Sequence, residues 1–209
     1  MEDNIESLSE TYKNYFRIGT CISEYSLNHQ RELLNKHFNS YTCENAMKPI
    51  NLQPKPGLYN FKKADKLIKE VQGEEDKIRG HTLVWHNQIP DWFFLDVEDN
   101  YVDKKRLLER MNLHIRNAVD HFRDQVYCWD VVNEAVADGD NEQVYRKNKW
   151  YQILGEDYVD KAFKFAREVD SGTKLFYNDY NAVVPHKRDK IYNLLQEMLD
   201  REIPVDGIG

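Results

Sequence analysis

The stretch Trp129-Asp130-Val131-Val132-Asn133-Glu134 ends a run of strand-forming residues with a side-chain amide directly beside a carboxylate. Val131 and Val132 carry the β-branched side chains that favour a buried strand. In a parallel sheet, the loops that follow the strands open onto one common face, where functional groups gather. The stretch therefore favours a parallel α/β fold and a functional position at Glu134.

Similar short runs, rich in β-branched and aromatic residues, alternate with longer helical patterns along the rest of the chain. This rhythm is typical of repeated βα units around a parallel sheet. The predicted strands lie at residues 16–23, 38–44, 77–86, 126–134 and 174–181, and a sixth begins at residues 206–209. The pattern therefore predicts one α/β domain over residues 1–209, in which residues 1–14 form an N-terminal helix or extension.

Three helices stand out by the spacing of their apolar residues. The clearest is predicted at residues 103–123, and two more at 158–169 and 187–199, the last preceded by Pro185. In the first helix, the residues that recur at three- and four-residue spacing are Leu107, Met111, Ile115 and Ala118. We expect these helices to cover the sheet.

Polar residues stand at or near the carboxyl ends of four predicted strands. They are Glu44-Asn45, His81 with His86, Asn133-Glu134, and Asn178-Asp179-Tyr180-Asn181. Because the ends of parallel strands meet on one face, this recurrence favours a shared site over chance.

Glu134 is the candidate proton donor in this group. A donor that works near neutral pH needs a carboxyl partly shielded from water, and an apolar strand beneath Glu134 would provide that shielding. For a lone glutamate after a strand, a helix cap or an ion pair is the commoner role. The adjacent amide of Asn133 favours the catalytic role, because it could hold a sugar hydroxyl beside a reacting carbon.

The third predicted strand contains Gly80-His81-Thr82-Leu83-Val84-Trp85-His86. Alternation along a strand predicts that His81, Leu83 and Trp85 share one face and that His86 points to the other. A metal site built from His81 and His86 is therefore not expected. A hydrogen-bonding histidine above an aromatic floor for a sugar fits better, although each residue alone could be an ordinary core residue.

Composition limits the class of partner. The chain has 29 Lys and Arg against 36 Asp and Glu, a formal charge of −7, which argues against nucleic acid because phosphate binding needs clustered cations. The N-terminus lacks the basic and apolar regions of a secretory signal, and no apolar run is long enough for a membrane helix. Cys21, Cys43 and Cys128 form no close pair in the sequence, and we expect all three to be small buried residues of the core. Nothing in the sequence demands a metal or an organic cofactor.

The quoted motifs resemble those of the family 10 glycoside hydrolases, chiefly endo-β-1,4-xylanases, from about Phe16 to Gly209. Four blocks carry the resemblance in the same order: Thr42-Cys43-Glu44-Asn45-Ala46-Met47-Lys48, Arg79 to His86 with Gln88, Pro90 and Trp92, Trp129 to Glu134, and Asp206-Gly207-Ile208-Gly209. The resemblance implies a (β/α)8 TIM barrel that cleaves xylan with retention of configuration, of which about five and a half βα units are present. It also implies a secreted protein.

The resemblance assigns a role to each candidate residue. Glu134 would be the acid/base, and Asn133 would contact the sugar at the −1 position, where cleavage occurs. His81, Trp85 and Gln88 would line that position. The next sugar toward the non-reducing end would be bound by Glu44, Asn45 and Lys48. Tyr180 and Asn181 would lie on the leaving-group side.

The sequence departs from the family pattern at two places. Pro49 stands where a large aromatic is expected, which puts the placement of Lys48 in question. The family's nucleophile is a glutamate after a seventh strand, beyond residue 209, so very low activity is expected of the chain alone. An open barrel also exposes two sheet edges, which predicts self-association or a complementing C-terminal barrel fragment. An inactive half-barrel that only binds xylan, and a relative active on β-1,4-glucan, remain alternatives.

Overall fold

Six parallel strands form one sheet in the computed structural model, which describes residues 5–71, 73, 77–141 and 143–209. Each strand pairs with the next in chain order. The strands are β1 Gly19–Ile22, β2 Ser40–Cys43, β3 Lys77–Val84, β4 Val126–Asn133, β5 Lys174–Asn178 and β6 Gly207–Ile208. The predicted α/β class with consecutive parallel strands is confirmed.

Helices connect the strands and cover the outside of the sheet. In the described ranges they are α1 Leu8–Tyr12, α2 Glu24–His29, α3 Arg31–His37, α4 Pro49–Leu52, α5 Lys62–Val71, α6 Lys104–His121, α7 Lys149–Leu154, α8 Asp157–Val169 and α9 Pro185–Asp200, with a 3₁₀ turn at Asp91–Phe93. The predicted apolar stripe of α6 is buried. None of the helices described is long and apolar enough to cross a membrane.

The strands end earlier than the sequence predicts. β3 was expected to run to residue 86 and β5 to residue 181, but they end at Val84 and Asn178. Glu134 and Asn181 have φ values of +56°, so the backbone turns out of the extended conformation near these ends. Glu134, His86, Tyr180 and Asn181 therefore lie on the loops that follow the strands, whereas His81, Asn133 and Asn178 belong to the strands themselves.

The predicted alternation in β3 holds only at first. His81 is half-buried, but Leu83 is fully buried together with its neighbours Thr82 and Val84. The pairing of β3 with β4 shifts between His81 and Val84, and a register shift changes which face the following side chains occupy. Exposure therefore shows no alternation after His81, and the shared face of His81 and Leu83 stays a prediction.

Close packing of β3 on β4 depends on Gly80. A Cβ atom at this position would lie 2.3 Å from the Trp129 ring, which is itself buried. The glycine thus lets the Trp129 indole pack directly against the backbone of β3.

Of the three cysteines, Cys43 and Cys128 are buried as expected, whereas Cys21 is exposed, so the expectation was wrong there.

The N-terminal extension was predicted as residues 1–14. Its described part contains α1, which begins with Ser7 accepting a hydrogen bond from the backbone of Glu10. Residues 1–4 lie outside the described part of the chain. β1 and β6 are the outermost strands of the sheet as described, each paired on one side.

Candidate active site

Glu134 lies at the point where β4 ends. Its backbone N–H donates to the carbonyl of Asn178, at the end of β5, over 2.8 Å. Its side chain is 19% exposed, so it is shielded from most of the solvent but still open to a ligand. The end of β5 thus fixes the backbone that carries this carboxylate.

Two aromatic residues that follow β3 contact the Glu134 carboxylate. The indole N–H of Trp85 donates to Oε2 over 3.0 Å, and Nε2 of His86 lies 3.9 Å from the same oxygen. Burial, and then the nearby charge of Arg146, lowers the pKa of His86. A neutral imidazole is therefore favoured, and the indole is the donor that orients this oxygen.

Lys48 and Asn45 extend this group of contacts toward β2. Lys48 is buried; its ammonium donates to Asn45 Oδ1 over 2.9 Å and lies 4.9 Å from the centroid of a Trp85 ring. Burial lowers the pKa of Lys48, while the charges of Glu44 and Glu134 act in the opposite direction. Asn45, Lys48, Trp85 and Glu134 therefore form one continuous set of contacts.

Pro49 does not displace Lys48 from this set. It occupies the first position of α4, where the fixed φ of proline is compatible with a helix start. Lys48 precedes it in an extended conformation, as a residue before proline prefers.

His81 lies on the same side of the sheet, held by Asp130 of β4. Its Nδ1 is 2.8 Å from Asp130 Oδ2, and the Asp130 side chain is only 2% exposed. Arg79 donates to the other carboxylate oxygen and also to Asn178 Oδ1 over 3.1 Å. The His81 and Trp85 ring centroids are 6.4 Å apart, so the two predicted partners are neighbours.

Asn133 links these groups to the next strand. Its side-chain amide lies 2.7 Å from that of Asn178 and 3.4 Å from Glu134 Oε1. A cavity of about 450 Å³ is lined by residues of β1 to β5 that include Arg79, His81, Asp130 and Asn178, but not by Asn133, Trp85 or Glu134. A hydroxyl group in this cavity would meet the Asn178 amide and the His81 imidazole.

The other predicted residues lie on the loops that follow β2, β3 and β5. Glu44 is exposed and interacts with Lys48 through its charge. Gln88 is exposed in a turn with φ +47°, and lines a separate cavity of about 500 Å³ with His86. Tyr180 is 42% exposed and donates to the Asp138 carboxylate, while Asn181 is exposed just beyond it.

Sequence reasoning missed three contributors to this site. His86 was assigned to the opposite face because β3 was expected to continue to residue 86, whereas it ends at Val84. Asp130 lies within the apolar strand, and a carboxylate at such a position predicts a charged partner, since a buried charge needs one. Arg146, whose Nε donates to the carbonyl of Glu134 over 3.2 Å, had no sequence signal.

A shielded carboxylate, oriented by an indole donor and flanked by amides at the C-terminal edge of a parallel βα sheet, defines a class. It is that of glycoside hydrolases built on βα barrels. No cluster of three metal-ligating side chains occurs among residues 5–71, 73, 77–141 and 143–209.

The comparisons with known proteins give the family. The model of glycosyl hydrolase family 10 matches residues 7–209, and the chain belongs to this family. A β-1,4-xylanase of Dictyoglomus thermophilum is 46% identical over 205 residues, covering 98% of this chain and 56% of the relative. Endo-1,4-beta-xylanase A of Thermotoga maritima is 49% identical over 216 residues, covering 100% of this chain and 20% of the relative.

Solved structures of similar proteins agree with the fold. Xylanase XynB of Paenibacillus barcinonensis, complexed with a conduramine derivative, superposes with a TM-score of 0.94 at 43% identity, covering 100% of this chain and 62% of that one. The intracellular xylanase TsXylA of Thermoanaerobacterium saccharolyticum, in complex with xylotetraose, gives 0.93 at 40% identity, covering 100% and 67%. The TIM-barrel fold type is therefore confirmed, and the chain spans 56% of the length of the Dictyoglomus relative.

Proposed function

We propose that this chain belongs to a retaining endo-1,4-β-xylanase in which Glu134 is the acid/base. The observation that carries the proposal is the Glu134 carboxylate, held by the Trp85 indole at 3.0 Å, with the His81 ring centroid 6.4 Å from that of Trp85. In retaining hydrolysis, such a residue protonates the leaving oxygen and later activates water. Relatives named endo-1,4-beta-xylanase, at 46–49% identity, support xylan or xylo-oligosaccharides as the substrate.

The surrounding residues have distinct roles in this proposal. Asn133 holds the hydroxyl next to the reacting carbon, where hydrogen bonds strengthen in the transition state. His81, Trp85 and Gln88 line the −1 position, and Tyr180 and Asn181 serve the leaving-group side. Glu44, Asn45 and Lys48 bind the next sugar, supported by the contact of Lys48 with the Trp85 ring.

The nucleophile is proposed to lie outside these 209 residues. A retaining site needs a second carboxyl about 5 Å from the first. The family pattern implies that this second carboxyl follows a seventh strand, whereas the described residues form six strands. A complementing barrel polypeptide or a second copy of the chain would pair with the edges at β1 and β6, since an unpaired strand edge favours association.

Xylan binding and hydrolysis by the purified chain test this proposal. Xylohexaose should bind more tightly than cellohexaose in calorimetry, and reducing-sugar release from xylan should be very low, because a missing nucleophile removes most of the rate but leaves binding intact. Carboxymethyl-cellulose is the comparison for hydrolysis. Light scattering of the same samples measures self-association.

Two variants separate the parts of the proposal. Glu134→Gln should abolish any remaining hydrolysis, whereas Glu168→Gln, on the exposed face of α8, should not change it. Failure to bind either oligosaccharide, with no hydrolysis, would contradict the xylanase function. Rapid hydrolysis that Glu134→Gln abolishes would contradict only the placement of the nucleophile.

A further inference from the structure

The loops that follow β4 and β5 are joined by a cluster of charged residues and one tyrosine. We call this cluster the clamp; it consists of Asp138, Arg146, Asp179, Tyr180 and Lys187. Asp138 and Arg146 belong to the loop that carries Glu134, whereas Asp179 and Tyr180 follow β5. Two cations and two anions make the clamp neutral overall, so it can be partly buried without net charge.

Lys187 of α9 lies at the centre of the clamp. Its side chain is 1% exposed, and its ammonium lies 2.6 Å from Asp138 Oδ1 and 2.8 Å from Asp179 Oδ1. The same ammonium is 3.7 Å from the centroid of the Tyr180 ring. Although burial raises the pKa of Asp138, hydrogen bonds from Lys187, Tyr180 and Arg146 outweigh burial and hold this pKa well below its usual range.

Arg146 connects the clamp to the backbone of the acid/base. Its Nε donates to the Glu134 carbonyl over 3.2 Å. Its Nη2 donates to Asp138 Oδ2 over 2.8 Å and to the Tyr180 hydroxyl over 3.1 Å. One planar guanidinium therefore reaches both loops, a geometry that a lysine cannot reproduce.

A buried tyrosine adds a second tie between the loops. The backbone N–H of Val136 donates to the hydroxyl of Tyr177, which in turn donates to Asp179 Oδ2. The Asp179 side chain is fully buried, so its contacts with Tyr177 and Lys187 are protected from competing water. The two loops are thus fixed to each other on both sides of Lys187.

We propose that Arg146 and Lys187 are positioning residues that fix the acid/base loop relative to Tyr180. This inference rests on the proposed function of Glu134. Neither residue contacts the Glu134 carboxylate; both act through the backbone of residues 134–138 and through Tyr180. Substitution should therefore displace the carboxylate from its orienting partner.

The Trp85 indole provides a readout that needs no activity. Its N–H donates to Glu134 Oε2, so its NMR resonance reports the position of the carboxylate. The chain has four tryptophans, and Trp85→Phe assigns the signal. In Arg146→Gln the Trp85 indole resonance should move while those of Trp92 and Trp129 stay; Trp150 is no reference, because its indole donates to the Trp85 carbonyl over 3.0 Å. Exchange of the Glu134 amide should rise about tenfold or more, because local opening is easier.

Matched variants test the role of charge. Arg146→Lys keeps the charge but not the planar fork, and should move the same resonance. Lys187→Met should do so as well, and Lys187→Met/Asp179→Asn is the companion in case the single variant fails to fold. Arg188→Met is the control, because Arg188 is an exposed neighbour on α9 that pairs with Asp189.

An unchanged Trp85 resonance and Glu134 amide in folded Arg146→Gln and Arg146→Lys would overturn the proposal. A general shift of all four indole signals would overturn it too, because that indicates a structural role. Loss of the xylanase function would appear separately, as absent xylohexaose binding with the indole shift intact.

Discussion

At the scale of single residues, Asp130 is the group on which the ligand-facing polar network depends. It accepts hydrogen bonds from Arg79 and contacts His81, although its side chain is almost fully buried. A buried carboxylate of this kind is stabilised only while its cation remains, and the cation likewise needs the carboxylate. Asp130 therefore couples the stability of the sheet to the placement of His81.

Asp130→Asn should destabilise the chain by about 3 kcal/mol, since it leaves the partly buried guanidinium of Arg79 without a charged partner. Urea unfolding followed by circular dichroism measures this change. Asp120→Asn is the control, because Asp120 pairs with Arg123 on the surface and should change stability by less than about 1 kcal/mol. Equal effects of the two substitutions would contradict the importance of burial.

At the scale of elements, α6 combines a buried stripe with a defined start. The side chain of Asp103 accepts a hydrogen bond from the backbone N–H of Arg106 over 2.8 Å, which satisfies one of the free donors at the helix end. This cap precedes the apolar residues that pack α6 against the sheet. The cap thus defines where α6 begins, and the buried apolar residues define which face of α6 packs inward.

Asp103→Ala should lower the free energy of unfolding by about 1 kcal/mol, whereas Asp103→Asn, which keeps a capping oxygen, should change it much less. The midpoint of urea unfolding, with an unchanged dependence on denaturant, is the measurement. A loss as large for asparagine as for alanine would show that charge, not capping, matters at this position.

At the scale of the whole molecule, stability depends on keeping buried groups in their preferred protonation state. His114 of α6 lies in the core, where its Nδ1 is 3.0 Å from Gln53 Oε1. Burial lowers the pKa of His114 from 6.5 to about 4. The folded chain therefore favours the neutral ring, whereas the unfolded chain takes up a proton more readily.

The contribution of His114 to stability is fully present above pH 6.5 and is lost as the pH falls toward about 4. Over this window the loss amounts to about 3 kcal/mol. His114→Gln should flatten the fall in unfolding free energy between pH 7 and pH 4.5, whereas His29→Gln, at an exposed position on α2, serves as the control. A slope that His114→Gln leaves unchanged would contradict this assignment.

Local patterns predicted much of the architecture and part of the site. The spacing of apolar residues is enough for α6, because a helix buries one face regardless of its neighbours. The ends of β3 and β5 were predicted too late in the chain. The residues beyond Val84 and Asn178 keep a sequence pattern that is compatible with a strand, although the backbone has already left the extended conformation. The role of Glu134 and its nine companions stays a prediction, although the structure places Asn45, Lys48, Trp85 and Glu134 in one set of contacts.

The sequence by itself determined the βα order, the buried strand before Glu134 and the family motifs, because periodicity and spacing are local properties of the chain. Only the tertiary structure decided that His86 lies beside Glu134, that Asp130 holds His81, and that Arg146 reaches the Glu134 backbone. These relations depend on where β3 ends and on contacts between segments that are distant in the chain, and neither can be seen in a local pattern. The stretch from Trp129 to Glu134 thus specifies its own strand, but its neighbours determine how its carboxylate is held.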